Sequence, residues 1–245
     1  MSEYSALYRY YDALMKDYRY DGLLGFVKEQ IEPRGVKSGF EFACGTGKIT
    51  VGLSRIGVDM TASDISPDML NAAAGNADLH RQKITFIRQD VNKPVIPSKY
   101  DLIASFVDGF NYVSSAAGLK RLFAAISRSL NDDGLLIFDM STVYKAKKLL
   151  SGKLYYEDAQ GLTYFWRNSN IKKGAITMEL TFFERSGGGY IRSDETNTQY
   201  FYDNQKIFEL LRACGFTFSA FDGDSFGALR GASKRLLVAA KKARR

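Results

Sequence analysis

From Gly39 to Asp64 the chain reads GFEFACGTGKITVGLSRIGVDMTASD, and no other stretch narrows the possible folds as much. A short apolar run, Phe40 to Ala43, breaks into Cys44-Gly45-Thr46-Gly47. Apolar residues then resume as Ile49, Val51, Leu53 and Ile56, at a spacing that suits a helical face better than alternation. A second apolar segment, Val58 to Ala62, ends on Asp64, 17 positions after Gly47. Strand, glycine turn, helix and strand ending on an acid form one nucleotide-binding half of a doubly wound parallel sheet.

Each part has a separate physical reason. Gly45 and Gly47 have no Cβ, so the chain can turn through positive φ and a ligand can approach the backbone closely. A helix opening near Lys48 leaves unpaired N–H groups beside the turn. A carboxylate at the tip of the second strand can accept both hydroxyls of a ribose, each such bond contributing about 1.5–3 kcal/mol. Asp64 has an alternative use as a cap for the helix opening at Pro67, a place that Ser66 and Asp68 also suit.

A dinucleotide fingerprint needs a third glycine for close helix–strand packing, and Thr50 stands there. Glu41-Phe42-Ala43-Cys44-Gly45-Thr46-Gly47 instead resembles the first motif of the class I S-adenosylmethionine-dependent methyltransferases, acid-x-Gly-x-Gly-x-Gly. Ala43 replaces the first glycine and is small enough to be expected to keep the turn. The resemblance implies a Rossmann-like seven-stranded α/β sheet and S-adenosyl-L-methionine as cofactor. It places Glu41, Ala43, Cys44, Gly45, Thr46 and Gly47 around that cofactor, with Asp64, Ile65 and Met69 at the end of the second strand.

The chain's 245 residues suffice for one large α/β domain with an insertion. No run of eighteen apolar residues occurs and the N-terminus lacks a basic-then-apolar order, so a soluble cytoplasmic protein without membrane association is expected. Cys44 and Cys214 have no ligand spacing, and no metal site is expected. Six of the cations behind the net charge of +7 fall in the last twelve residues (Lys234, Arg235, Lys241, Lys242, Arg244, Arg245), which read as a solvated end. With the remainder near neutrality, a small molecule and not nucleic acid is the expected partner.

Before the glycine turn, Leu23, Leu24, Phe26, Val27 and Ile31 support a helix closed by Pro33 and Gly35, preceded by a segment dense in tyrosine: Tyr4, Tyr8, Tyr10, Tyr11, Tyr18 and Tyr20. Related small-molecule methyltransferases carry a similar Tyr-Asp-x-Leu-Met segment as a lid over the cofactor, which implies Tyr11 and Tyr20 as ligand-facing residues. The third strand, Ile84 to Gln89, ends on Asp90-Val91. The resemblance assigns that pair to adenine, while a plain turn role for Asp90 stays open. Tyr100 to Val107 is an almost continuous apolar run and so a buried parallel strand. The Phe106 to Tyr112 stretch that ends it lies where a methyl group is transferred. Relatives show Asp-Ser-x-Asn-Tyr here, so Gly109 is a departure. Asp108, Asn111 and Tyr112 are the expected substrate contacts, with Asp108, or a tyrosine such as Tyr11, as the catalytic group if a proton must be taken.

After an amphipathic helix from Ala116 to Leu130, a stop at Asn131–Gly134 and a fifth strand from Leu135 to Asp139, the composition shifts. Residues 152–200 are rich in Tyr, Phe, Thr and Ile between glycine-bearing turns and read as antiparallel hairpins. Residues 1–151 and 201–245 then form the cofactor-binding domain, with 1–36 as its helical lid. The insertion covers the pocket or makes a homodimer contact, a monomer being the other expectation. A last helix and a strand pair, Phe216 to Phe221 and Arg235 to Ala240, finish the sheet. The expected activity is direct methyl transfer to nitrogen or oxygen of a small-molecule acceptor. The competing readings are an NAD(P)-dependent oxidoreductase and a non-catalytic S-adenosylmethionine-binding protein.

Overall fold

A computed structural model describes residues 11, 15, 18–159 and 162–243. The predicted lid before residue 18, including Tyr4, Tyr8 and Tyr10, therefore lies outside the described residues apart from Tyr11 and Met15. Five strands run parallel: β1 (Ser38–Phe42), β2 (Asp59–Asp64), β3 (Thr85–Arg88), β4 (Tyr100–Ser105) and β5 (Leu130–Ser141). Two later strands, β10 (Phe216–Asp222) and β11 (Arg235–Lys242), pair antiparallel, and β11 also lies antiparallel to β5. The order is β10-β11-β5-β4-β1-β2-β3, so the winding reverses between β1 and β4. A crevice opens outside the carboxyl ends of the strands at such a point.

Alternation along the strands builds two cores. On one face Phe40, Phe42, Ile103, Leu136 and Phe138 pack against helices α4 (Ala116–Ser129) and α5 (Asn204–Ala213), through Leu122, Phe123, Ile207 and Leu211. On the other, Leu102, Ala104, Leu135 and Ile137 meet α1 (Tyr20–Ile31) and α2 (Lys48–Arg55), through Leu23, Val27, Ile49 and Leu53. Fully burying each such side chain contributes roughly 1.5–3 kcal/mol, which fixes the register and hence the positions of the strand ends. Helix α3 (Pro67–Leu79) starts at Ser66, whose side chain accepts from the Met69 amide. The cap is thus Ser66 and not Asp64.

Two stretches differ from the sequence reading. β5 begins at Leu130, because Leu130 pairs with Tyr100 and the register then shifts before Leu135 meets Leu102. The expected stop at Asn131–Gly134 is an irregularity inside the strand, with Asp133 at φ 62°. Arg235, read with the solvated end, is instead 6% exposed, for a reason that belongs to the site.

After β5 the chain forms a second, antiparallel sheet of β6 (Leu154–Ala159), β7 (Leu162–Asn168), β8 (Ala175–Ser186) and β9 (Gly189–Tyr200) in that order. Ile176, Met178, Leu180 and Phe182 of β8 face Ala146 and Leu150 of the connection from β5, and Tyr11 packs at the border of this cluster. Asn111 ties the two sheets together: its amide donates to the carbonyls of Tyr200 (2.9 Å) and Ser141 (3.2 Å) and accepts from the Ser141 N–H (2.8 Å).

Candidate active site

The loop after β1 takes left-handed φ at Ala43 (52°), Gly45 (53°) and Gly47 (75°). Its shape is held from β2, with the Cys44 N–H donating to the Ser63 carbonyl (3.0 Å) and the Gly45 N–H to Asp64 Oδ2 (2.9 Å). Asp64 Oδ1 accepts from the Ser66 N–H (3.0 Å), so one carboxylate orients both the glycine turn and the start of α3. A Cβ at Gly47 would stand 2.9 Å from the Ala73 Cβ, so glycine there serves packing as well as φ.

Ala43 keeps the turn but in a conformation that costs an L-residue about 1–2 kcal/mol. Its methyl explains the other departure. A Cβ at Gly109 would lie 2.9 Å from the Ala43 Cβ and 2.3 Å from Ser105 Oγ, so the two unusual residues are one steric pair.

A cavity of about 340 Å³ runs along the carboxyl ends of the strands. One end is lined by Asp64, Ile65, Met69, Asp90 and Val91, and the other by Tyr11, Val107, Gly109, Tyr112 and residues of β9. Asp90 is both a turn residue and a wall residue. Its Oδ1 accepts from the Asn92 backbone (2.8 Å) and side chain (3.0 Å). A small adjoining cavity, about 30 Å³, is walled by Tyr11, Tyr20, Glu41, Cys44, Thr46 and Phe106. There Glu41 is buried and accepts from the Thr50 hydroxyl, and burial pushes its carboxyl up to about 8. Thr50, the residue where a dinucleotide motif would have glycine, is thus committed to Glu41. Burial also raises the Cys44 thiol and the Tyr11 phenol, so both stay protonated at neutral pH.

The stretch after β4 is where the sequence reading needs correction. Val107 (φ 56°) and Asp108 (φ 68°) are both left-handed, an outlying state for a β-branched residue. Asp139 holds them there, accepting from the Val107 N–H (3.0 Å), the Asp108 N–H (2.8 Å) and the Tyr18 hydroxyl (3.0 Å). Arg235 bonds Asp108 (2.6 and 3.3 Å) and Asp139 (2.8 Å) and stacks over the Tyr18 ring, while the Lys145 ammonium lies 3.5 Å from Asp108. Burial alone would raise the Asp108 carboxyl, but Arg235 and Lys145 outweigh it and bring it down to about 2. Asp108 is therefore no base at neutral pH, and its carboxylate is held by cations outside the cavity wall. Asn111 is likewise fully buried and spent on the sheet junction. Of the three expected substrate contacts, only Tyr112 lines the cavity.

A family model described as a methyltransferase domain matches residues 40–134. A Geobacillus sp. (strain WCH70) protein assigned by name to the methyltransferases is 29% identical over 98% of this chain and 99% of its own. The crystal structure of an S-adenosylmethionine-dependent methyltransferase from Clostridium acetobutylicum superposes with a TM-score of 0.88 at 26% identity, covering 96% of each chain. Over almost its whole length the chain is thus similar to methyltransferases, and in its fold to an S-adenosylmethionine-dependent one. The sugar N-methyltransferase KedS8 from Streptoalloteichus sp. shares the fold, with a TM-score of 0.76 at 18% identity over 93% of this chain and 88% of its own. The residues present suit S-adenosylmethionine: a glycine turn open to close approach, an acid in the cavity wall beside it, and a contiguous cavity. Among the described residues no helix is long and apolar enough to cross a membrane, and no cluster of three or more His, Cys, Asp or Glu could hold a metal ion.

Missing from the sequence reading were Val107, Asn92 and Ser114, and above all Thr196, Asn197, Thr198 and Tyr200 of β9. Alternating Thr, Asn and Gln on a strand resemble a solvent face, so no local signal marks them.

Proposed function

We propose that this methyltransferase acts on a nitrogen of a small molecule bound between the glycine loop and β9. The supporting observation is the single cavity that joins the Asp64 end of the sheet to the inserted strand. In this reading Asp64 accepts the ribose hydroxyls, Asp90 and Val91 meet the adenine, and Ile65 and Met69 cover the ring. The Ala43–Gly47 loop lies under the methionyl part, and Glu41 and Tyr20 border its ammonium group. Tyr11 and Tyr112 stand between the cofactor and the acceptor.

Bound S-adenosylmethionine supplies a methyl group on a cationic sulfur. The acceptor would contribute the lone pair that takes this methyl, the carbon–sulfur pair would remain on sulfur, and the spare N–H proton would leave to water. The protein's part is alignment and exclusion of water, which can lower the barrier by roughly 7–11 kcal/mol. Nitrogen is favoured over oxygen because an amine has a neutral form, whereas a hydroxyl needs a base. Asp108 is held ionised by two cations and Tyr11 stays protonated, so neither fills that role. KedS8, which shares the fold, is a sugar N-methyltransferase.

The test is thermal unfolding with S-adenosylmethionine, S-adenosylhomocysteine or NAD, followed by assay of S-adenosylhomocysteine release with amine and alcohol acceptors. A hundredfold excess of ligand over Kd adds about 2.7 kcal/mol and should raise the midpoint by roughly 5–10 °C for the adenosyl compounds alone. Turnover with alcohols and none with amines would reverse the choice of nitrogen.

A further inference from the structure

β9 forms the edge of the inserted sheet and one wall of the main cavity. Its pairing sets Glu195, Asn197 and Gln199 opposite Leu180, Met178 and Ile176 of β8, all on the buried face. Asn197 is 7% exposed, lines the cavity, and has no side-chain hydrogen-bond partner among the described residues. Asn168, which shares its row across Met178, accepts from the Trp166 indole through Oδ1 (2.7 Å), while its Nδ2 is sealed in the interior and faces no cavity ligand. The Asn197 amide atoms are not sealed from solvent, so they stay within reach of a ligand in the cavity. An amide that is nearly buried yet faces a cavity is built to meet a ligand.

The backbone of the same strand points the same way. The Tyr200 carbonyl turns outward to Asn111, and the two-residue period brings the backbone groups of Thr198 and Thr196 to that side, where both residues line the cavity. The lining carries two carboxylates, Asp64 and Asp90, and among the described residues no lysine or arginine. A ligand carboxylate or phosphate would enter against like charge with no cation to receive it. Hydroxyls and amines would meet neutral donors and acceptors at Tyr112, Ser114, Thr196, Asn197 and Thr198.

We propose that Asn197 reads the methyl acceptor, and that the acceptor is a small hydroxylated amine bearing no anionic group. This rests on the acceptor site proposed above. The amide offers one acceptor and two donors, so it can bind a hydroxyl beside the reacting nitrogen from either side. Asn197 is a positioning contact to the substrate and takes no part in bond making.

The experiment uses the full chain and three amines that differ in the groups they carry: glucosamine, with hydroxyls and no anion; glycine, with a carboxylate; and cyclohexylamine, with neither. Methylation is read as S-adenosylhomocysteine release, and cofactor binding is read separately by calorimetry with S-adenosylhomocysteine. The expected result is that glucosamine is the best acceptor of the three. In Asn197→Ala, kcat/KM for it should fall about tenfold or more, mainly through KM, as loss of one hydrogen bond predicts. S-adenosylhomocysteine affinity and the unfolding midpoint should stay close to the parent's, and Asn197→Gln should recover part of the loss. Preference for glycine or cyclohexylamine overturns the proposal, as does an Asn197→Ala protein within twofold of the parent. So does binding of S-adenosylhomocysteine without turnover of any of the three amines. Failure to bind S-adenosylhomocysteine at all would instead break the underlying reading of the cavity.

Discussion

The carboxyl ends of β2 and β4 each set an aspartate at the same edge of the sheet, and the two are used in opposite ways. Asp64 accepts from backbone N–H groups of the glycine loop and the start of α3, and lines the cavity. Asp108 is met by Arg235 and Lys145 and withdrawn from the cavity. A carboxylate's chemistry is decided by which charges fold against it. For Asp108 the deciding charge is 127 residues away in the chain.

The sharpest way to break this contrast is Arg235→Met. It leaves Asp108 and Asp139 buried without their shared cation, a loss of about 3–5 kcal/mol. The unfolding midpoint should fall by roughly 10 °C, and a change under about 2 °C would show that the two acids need no cation. Next in size is Gly109→Ala, whose methyl meets Ala43 and Ser105. Overpacking of this kind costs about 1–3 kcal/mol. Adding Ala43→Gly should return part of that in a double-mutant cycle, whereas strict additivity would deny that the two positions form a pair. Asp64→Ala should weaken S-adenosylhomocysteine binding tenfold or more, about 1.4 kcal/mol, measured by calorimetry. An unchanged Kd would remove Asp64 from the ribose site.

The acids also separate on pH. Asp108, lowered to about 2, contributes stability that is present above its unfolded value of about 3.9 and lost as pH falls through its folded value. Glu41, raised by burial to about 8, has the reverse sign: its contribution is complete below about 4.3 and lost as pH rises through the folded value. Urea unfolding should therefore show Glu41→Gln gaining on the parent from pH 5 to 8. This is the smallest of the effects, and a difference flat in pH would contradict a neutral Glu41.

Legibility in the sequence follows the range of the physics involved. The glycine turn, its left-handed φ values and the acid at the end of β2 lie within one short stretch, and each residue type has a local reason to be there. The alternation that builds the sheet's two cores is equally local. Arg235 looked like one more cation in a basic stretch because only the pairing of β11 with β5 carries it over Asp139. Asn111, expected at the substrate, is drawn into the junction because β9 returns beside it, and nothing near residue 111 announces a strand 89 positions later. Asn197 is hidden for the converse reason: an edge strand of polar residues looks solvated until the ends of another sheet are laid along it.

Because β11 lies between β10 and β5 and not at a margin, the sheet has a gap until that strand arrives. Of the strands described, it is also the last to leave the ribosome. A growing chain can assemble β1 to β5 and the inserted sheet while Asp108 and Asp139 wait for Arg235. Those carboxylates repel each other, and the turn at Val107 has nothing to hold its strained backbone beyond Asp139. Arg235, the cation that joins Asp108 to Asp139 behind the cavity wall, thus arrives with the strand that closes the sheet.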